Sequence, residues 1–120
     1  MRKRKYRLPS DEEIKDCYGH CQKTGIVRRK RYGYEGWIAP FKDGRYQYRA
    51  FKHPGPDGYV TLTAHHIVRV LQGWTKPCVD HINGDTLDNR LCNLRPASYS
   101  ENYRNIWQAR ESIAAVRMAA

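Results

Sequence analysis

No stretch of this chain is apolar over the roughly 20 residues that a membrane-spanning helix needs, and the basic N-terminus has no apolar stretch behind it. The expectation is a chain outside the membrane, in the cytoplasm. Acidic residues are scarce: 12 Asp and Glu stand against 22 Lys and Arg, for a net charge of +10. That balance argues against a typical small-molecule enzyme. It favours a polyanionic partner, because clustered cations gain affinity by releasing counterions from phosphates. Tight Cys-x2-Cys pairs are lacking. Cys17 and Cys21 have three residues between them, and Cys78 and Cys92 stand alone. Structural zinc is therefore not expected, nor are disulfides in a reducing compartment. Repeats and low-complexity segments are missing too. At 120 residues the chain has room for one domain with a small core.

What is present divides into a basic arm (residues 1–9), a helix with strands (10–57) that could contact DNA, and a C-terminal part (58–120). Ser10-Asp11-Glu12-Glu13 forms a capping box, which predicts a helix running to Lys23 with Gly25 just beyond it. Ile14, Cys17, Tyr18 and Cys21 fall on one face of that helix, so both cysteines are expected to pack on the core. His20 lies off that face and is expected in solvent. Next comes Arg28-Arg29-Lys30-Arg31, with Tyr32, Tyr34 and Trp37 after it. Such aromatics suit nucleic acid, but they are ordinary strand residues as well. Residues 26–38, 45–52 and 58–63 are predicted strands, punctuated by Gly and Pro-Gly turns. Residues 63–72 are predicted helix, stopped by Gly73, with Ala64, Ile67, Val68 and Leu71 facing inward. His65 flanks that face and His66 lies opposite it.

The stretch that organises the chain begins at Val79-Asp80-His81-Ile82. It turns through Asn83-Gly84, passes Asp88-Asn89-Arg90, and returns at Asn93-Leu94-Arg95. A second capping box, Ser98-Tyr99-Ser100-Glu101, starts a helix that can run towards Arg117, with Asn102 in its first turn. Its inward stripe would be Ile106, Ala109, Ile113 and Val116. A strand–loop–strand–helix of this size can gather Asp80, His81, Asn93 and Asn102 at one end. Strict alternation would separate Asp80 from His81, so the strand must end or bulge there. Asp80 and Asn102 then offer oxygen ligands to a hard cation. His81 titrates in the range of a general base, and Asn93 can orient it. Asp88 and Asn89 are expected to tie the loop to its own backbone. The alternative, for an Asp-His pair taken alone, is a hydrogen bond within a turn.

At these residues the sequence resembles the HNH homing-type endonucleases, in the branch common in bacteriophages. The resemblance runs from Gly58 to Asn105. It includes Gly58-Tyr59-Val60, Ala64-His65, Val79 to Asp85, Asp88-Asn89-Arg90, Asn93-Leu94-Arg95 and Glu101-Asn102-Tyr103-Arg104-Asn105. It implies an α+β fold with a ββα-metal core and a divalent ion, Mg²⁺ or Mn²⁺, between hairpin and helix. It also implies hydrolysis of phosphodiester bonds in double-stranded DNA, with His81 as general base, Asp80 and Asn102 as metal ligands, and Asn93 holding loop and base. Many members carry His where this chain has Asn102. The side chains expected against nucleic acid are Arg28, Arg29, Lys30, Arg31, His65, Arg90, Arg95 and Arg104. A reading from a different class is a basic DNA-binding module whose ββα site is structural or degenerate.

Overall fold

The computed structural model describes residues 8–40 and 47–105. The basic arm up to residue 7, Tyr46 and the apolar stripe beyond Asn105 lie outside the described residues. The described elements, in order, are α1 (Asp11–Cys17), β1 (Tyr18–His20), β2 (Val27–Arg29), β3 (Trp37–Pro40), β4 (Gln47–Gly55), β5 (Gly58–Thr63), α2 (Ala64–Gln72), β6 (Cys78–His81), a 3₁₀ turn (Leu91–Asn93) and β7 (Leu94–Ala97). Residues 99–105 are helical and are called α3 here. The strands form three antiparallel sheets: β1-β2, β3-β4-β5 and β6-β7. This is an α+β fold.

Helix α1 starts where its cap places it, with Ser10 Oγ accepting from the Glu13 amide at 3.2 Å. It stops at Cys17, six residues before the expected end. Tyr18 leaves in extended backbone, and Tyr18-Gly19-His20 pairs with Val27-Arg28-Arg29 instead. Gly19 is a weak helix former, and the strand position buries the Tyr18 ring completely. The Glu13 carboxylate does not close the capping box. It accepts from His53 Nε2 at 3.0 Å, and His53 Nδ1 accepts from the Tyr18 hydroxyl at 2.9 Å. Arg29 Nη2 donates to that same hydroxyl oxygen at 3.3 Å. This chain of bonds satisfies the buried His53 and joins α1, β1, β2 and β4. Burial pushes the Tyr18 hydroxyl up, and the adjacent Arg29 opposes it in part.

The expected strand 26–38 is two strands in different sheets. Tyr32, Gly33 and Gly36 all take positive φ, which no ladder accepts, so the chain turns between β2 and β3. Strand β4 runs on to Gly55 and pairs with β5 across a tight turn, from Ala50↔Thr63 to Gly55↔Gly58. Thr63 caps α2 through the His66 amide, and Gly73 ends it in left-handed backbone at φ 70°. On the inward face of α2, Ala64, Ile67 and Val68 are buried as expected, but Val70 is the fourth buried residue and Leu71 is only half-buried. One core holds Ile14, Tyr18 and Val27 together with Phe51, Leu62, Ile67, Val68, Val79 and Leu94. Each large side chain buried there contributes about 1.5–3 kcal/mol relative to exposure. Elements from both halves of the chain, α1 and β6 among them, thus pack on α2. Cys17 is half-buried against the core, but Cys21 is exposed, because the early stop of α1 carries it into the β1–β2 turn.

Candidate active site

His81 is the last residue of β6. The ladder is regular up to it, Asp80↔Arg95 and His81↔Leu94, so the strand ends there and does not bulge. The Asn-Gly turn follows, with Gly84 at φ 77° and its amide bonded to the His81 carbonyl at 2.9 Å. His81 Nε2 lies 2.9 Å from Asn89 Oδ1. An amide oxygen only accepts, so Nε2 carries the hydrogen and Nδ1 keeps its lone pair. Burial pulls the His81 pKa down, against the opposing pull of the Asn89 bond and of Asp80, Asp85 and Asp88. The ring is therefore neutral at pH 7. His65, from the first turn of α2, packs edge-on against it, with ring centroids 5.3 Å apart. Burial, followed by the neighbouring His81 and His66, pulls the His65 pKa to about 3. His66 is half-buried, not solvated as expected from its side of the helix, because α1 packs against α2.

The loop between β6 and β7 is held from within by Asn93, which is 5 % exposed. Its Oδ1 accepts from the Asn83 amide, and its Nδ2 donates to Asn83 Oδ1 and the Asp88 carbonyl, all at 2.9 Å. Asp88 accepts from Arg90 Nε and Nη2 at 2.8 and 2.7 Å and from Asn83 Nδ2 at 3.0 Å. The Arg90 guanidinium holds the Asp88 carboxyl well below the usual carboxylate range. Asn93 and Asp88 thus tie the loop together, but among the described residues Asn93 has no bond to the His81 ring that it was expected to orient. Asn89 departs from its expected role: its side chain serves His81, and its carbonyl accepts from His20 Nε2 at 2.7 Å. His20 is correspondingly half-buried and not in solvent. No sequence signal could have paired residues 69 positions apart. Asn89, eight residues after His81 in a chain that turns back, was the one within reach.

Asp80 is buried, and its Oδ2 accepts from Arg95 Nε at 2.7 Å and from Asn105 Nδ2 at 3.1 Å. Among the described residues both bonds end on Oδ2, which leaves Oδ1 to a further partner. The Asn105 bond pins α3 beside β6, and Asn102 stands one turn earlier on the same side of that helix. The helix start is the one expected. Ser98 Oγ accepts from the Glu101 amide and Glu101 Oε1 accepts from the Ser98 amide, each at 3.1 Å. Lys76, 2.9 Å from Glu101, holds its carboxyl down at about 2. Among the described residues the Asn102 side chain has no hydrogen bond, so its amide oxygen is available as a donor. Among them, too, no three His, Cys, Asp or Glu side chains form a metal-binding group. Asp80 and Asn102 carry oxygen atoms, the kind of ligand that a hard cation takes.

The cations expected against nucleic acid are not equally available. Arg29 is spent on Tyr18 and the Lys52 carbonyl, and Lys30 Nζ on the Lys15 carbonyl at 2.8 Å. Arg28 stands 4.0 Å from Glu35, and Arg31 stacks over the Tyr32 ring at 5.1 Å. Arg90 and Arg95 keep about half of their side chains exposed while paired with Asp88 and Asp80. Arg104 is exposed on α3.

An antiparallel strand pair ending in Asp-His, a loop, and a helix bound back to the Asp make one frame. A similar overall fold occurs in a solved structure described as DNA binding and cleavage by the HNH homing endonuclease I-HmuI. That structure aligns over 76% of this chain with 24% identity and a TM-score of 0.52. This is the HNH endonuclease fold. The alignment covers 52% of the I-HmuI chain, so this chain spans about half of that protein's length. No family model matches the sequence, and no curated protein does. Within the HNH fold, Asp80 and His81 fall at the end of the first strand of the β6-β7 pair, and Asn102 falls in the helix after it. Among the described residues no helix is long and apolar enough to cross a membrane.

Proposed function

We propose that the protein is a metal-dependent DNA endonuclease that hydrolyses phosphodiester bonds, of the homing type and phage-encoded, acting in the host cytoplasm. The observation that carries this reading is the bond from His81 Nε2 to Asn89, beside an Asp80 whose two side-chain bonds both fall on one carboxylate oxygen. The His81 bond turns the basic nitrogen, Nδ1, away from the loop and fixes the ring as a neutral base. Nδ1 takes the proton of the attacking water. Asn89 steadies the imidazolium that forms, and Asn93 keeps the loop closed behind it. Asp80 and Asn102 would hold Mg²⁺ or Mn²⁺, which would neutralise charge on the scissile phosphate. Arg28, Arg31 and Arg104 have the exposure to meet the backbone of double-stranded DNA, a partner that suits the net charge of +10. His65 sits too close to the base to serve as a remote phosphate contact, and shapes the wall beside it.

The test is magnesium-dependent cleavage of plasmid DNA by the parent and by His81→Ala. Loss of a general base should lower the rate by about 10²–10⁴ while DNA affinity stays close to that of the parent. Equal rates in folded protein would remove His81 from the mechanism. A parent that binds DNA but never cuts it would favour the basic binding module with a degenerate site.

A further inference from the structure

The β1–β2 hairpin lies outside the strand–loop–strand–helix frame, yet it touches the loop that holds the base at three points. His20 Nε2 donates to the Asn89 carbonyl at 2.7 Å; a carbonyl only accepts, which fixes the hydrogen on that nitrogen. The Leu91 amide donates to the Gln22 carbonyl at 3.1 Å. Gly25, at φ 80°, lies so close that a β-carbon there would stand 2.4 Å from the Arg90 amide nitrogen and 2.7 Å from the Asn89 carbonyl carbon. Glycine is thus required at that position twice over, by backbone conformation and by space. The three contacts fall on three consecutive residues, Asn89, Arg90 and Leu91. The middle of the hairpin turn is therefore shaped to this segment of the loop.

Asn89 faces two ways. Its carbonyl is held by His20 and its side chain holds His81, and the residue is 3 % exposed. Asn93, Asn83 and Asp88 close the loop on itself, but among the described residues none of them bonds to the His81 ring. The orientation of the base thus runs through Asn89, and the backbone of Asn89 is set from the hairpin. Among the described residues His20 Nδ1 is buried without a partner, so this ring is kept in place at the cost of an unsatisfied atom. That cost is offset if the Nε2 bond matters to the loop.

We propose that His20 is a positioning residue for the reaction. Together with Gly25 it clasps the segment Asn89–Leu91 and thereby aims His81 Nδ1 at the attacking water. This inference rests on the nuclease reading above for its consequence in rate, but not for its consequence in structure. A misplacement of about 1 Å at a reacting group can cost on the order of 10² in rate.

The experiment uses the full chain with two substitutions, His20→Phe and His20→Gln. Phe keeps the bulk and removes the donor, whereas Gln returns an amide N–H near the position of Nε2. Single-turnover plasmid cleavage with Mg²⁺ gives the rate, and DNA affinity is measured with Ca²⁺ in place of Mg²⁺. His20→Phe should cut the rate by about 10- to 100-fold with affinity within about twofold, and His20→Gln should recover most of the loss. A full rate in His20→Phe, an equal loss in His20→Gln, or a loss of affinity that accounts for the rate would each overturn the proposal. Nitrogen-15 spectra of histidine-labelled protein give a readout that needs no cleavage. They should show His81 in the Nε2–H form in the parent and a mixture of forms in His20→Phe; an unchanged His81 spectrum overturns the clasp. A parent that shows the tautomer change on substitution but does not cut DNA sinks the nuclease reading alone. If His20→Phe does not fold, His20→Leu replaces it, since it too removes the donor and leaves the hairpin backbone as it is. The same loss of rate at unchanged affinity is then expected, and a full rate overturns the proposal.

Discussion

On the proposed nuclease reading, metal preference turns on Asn102. Its amide oxygen is a neutral, hard donor, and Asp80 supplies the single carboxylate of the proposed pair. Such a pair suits Mg²⁺ or Mn²⁺ and holds Zn²⁺ or Ni²⁺ less well than an imidazole would. Asn102→Ala should nearly abolish cleavage in Mg²⁺. Asn102→His should keep activity and shift the preference towards Ni²⁺, Co²⁺ or Zn²⁺. Nicking rates across a metal series decide this, and an Asn102→Ala protein as fast as the parent in Mg²⁺ removes Asn102 from the ligand set. Single residues were legible where their chemistry is local. Asp80 and His81 announce themselves as neighbours, and Asn93 could be assigned to the loop because its partners, Asn83 and Asp88, lie within ten residues. Asn89 and His20 were misread because nothing local marks them. Each gains its role from a chain segment that arrives from elsewhere in the fold.

Among the elements, α2 carries the clearest dependence on acid. His65 and His66 both have pKa values lowered, chiefly by burial, His65 from the ordinary 6.5 to about 3. In the unfolded chain each would take up a proton near 6.5. Between about 3 and 6.5 the unfolded state therefore binds more protons than the folded one, and stability rises with pH. The contribution is complete above about 6.5 and is lost as the pH falls towards 3. His81, also lowered by burial, acts in the same direction. Melting temperature followed from about pH 7 to about pH 4 should fall, and His65→Phe should flatten the fall; an identical slope in the variant would mean that His65 is open to protonation in the folded state. Elements with capping or turn chemistry were the legible ones. Ser10, Ser98, Gly73 and the Asn83-Gly84 turn stand where the sequence puts them. The end of α1 was not legible, because helical spacing continues through Tyr18 and Cys21 while strand pairing with β2 wins. The break after β2 was visible as Gly33 and Gly36, but a left-handed Tyr32 beside them was not.

At the scale of the molecule, charge and core tell different stories about the first half of the chain. The basic run Arg28 to Arg31 invites a uniform electrostatic role, yet Arg29 and Lys30 are bonded to backbone carbonyls, while among the described residues Arg28 and Arg31 meet only the exposed side chains of Glu35 and Tyr32. Neutralising Arg28 and Arg31 should lower the salt dependence of DNA binding by a slope of about 0.9 for each phosphate that no longer meets a cation. Arg29→Ala should act chiefly on stability, since it strips Tyr18 and the Lys52 carbonyl of a donor. Binding titrations across a salt series, together with thermal melts, separate the two effects; a slope unchanged in the Arg28, Arg31 double variant would leave this run facing solvent alone. The core has a longer reach. Ile14, Tyr18 and Val27 complete the packing on α2, and the hairpin that contains Tyr18 and Val27 also grips Asn89. Exchanging residues 10–57 for a different segment would therefore empty part of the core and loosen the loop behind His81. Where a recognition module can be shuffled freely, target choice evolves apart from chemistry. On the proposed reading the first half of this chain is inherited together with the chemistry, and a lineage of this protein can alter that half only by substitutions that leave the hairpin in place.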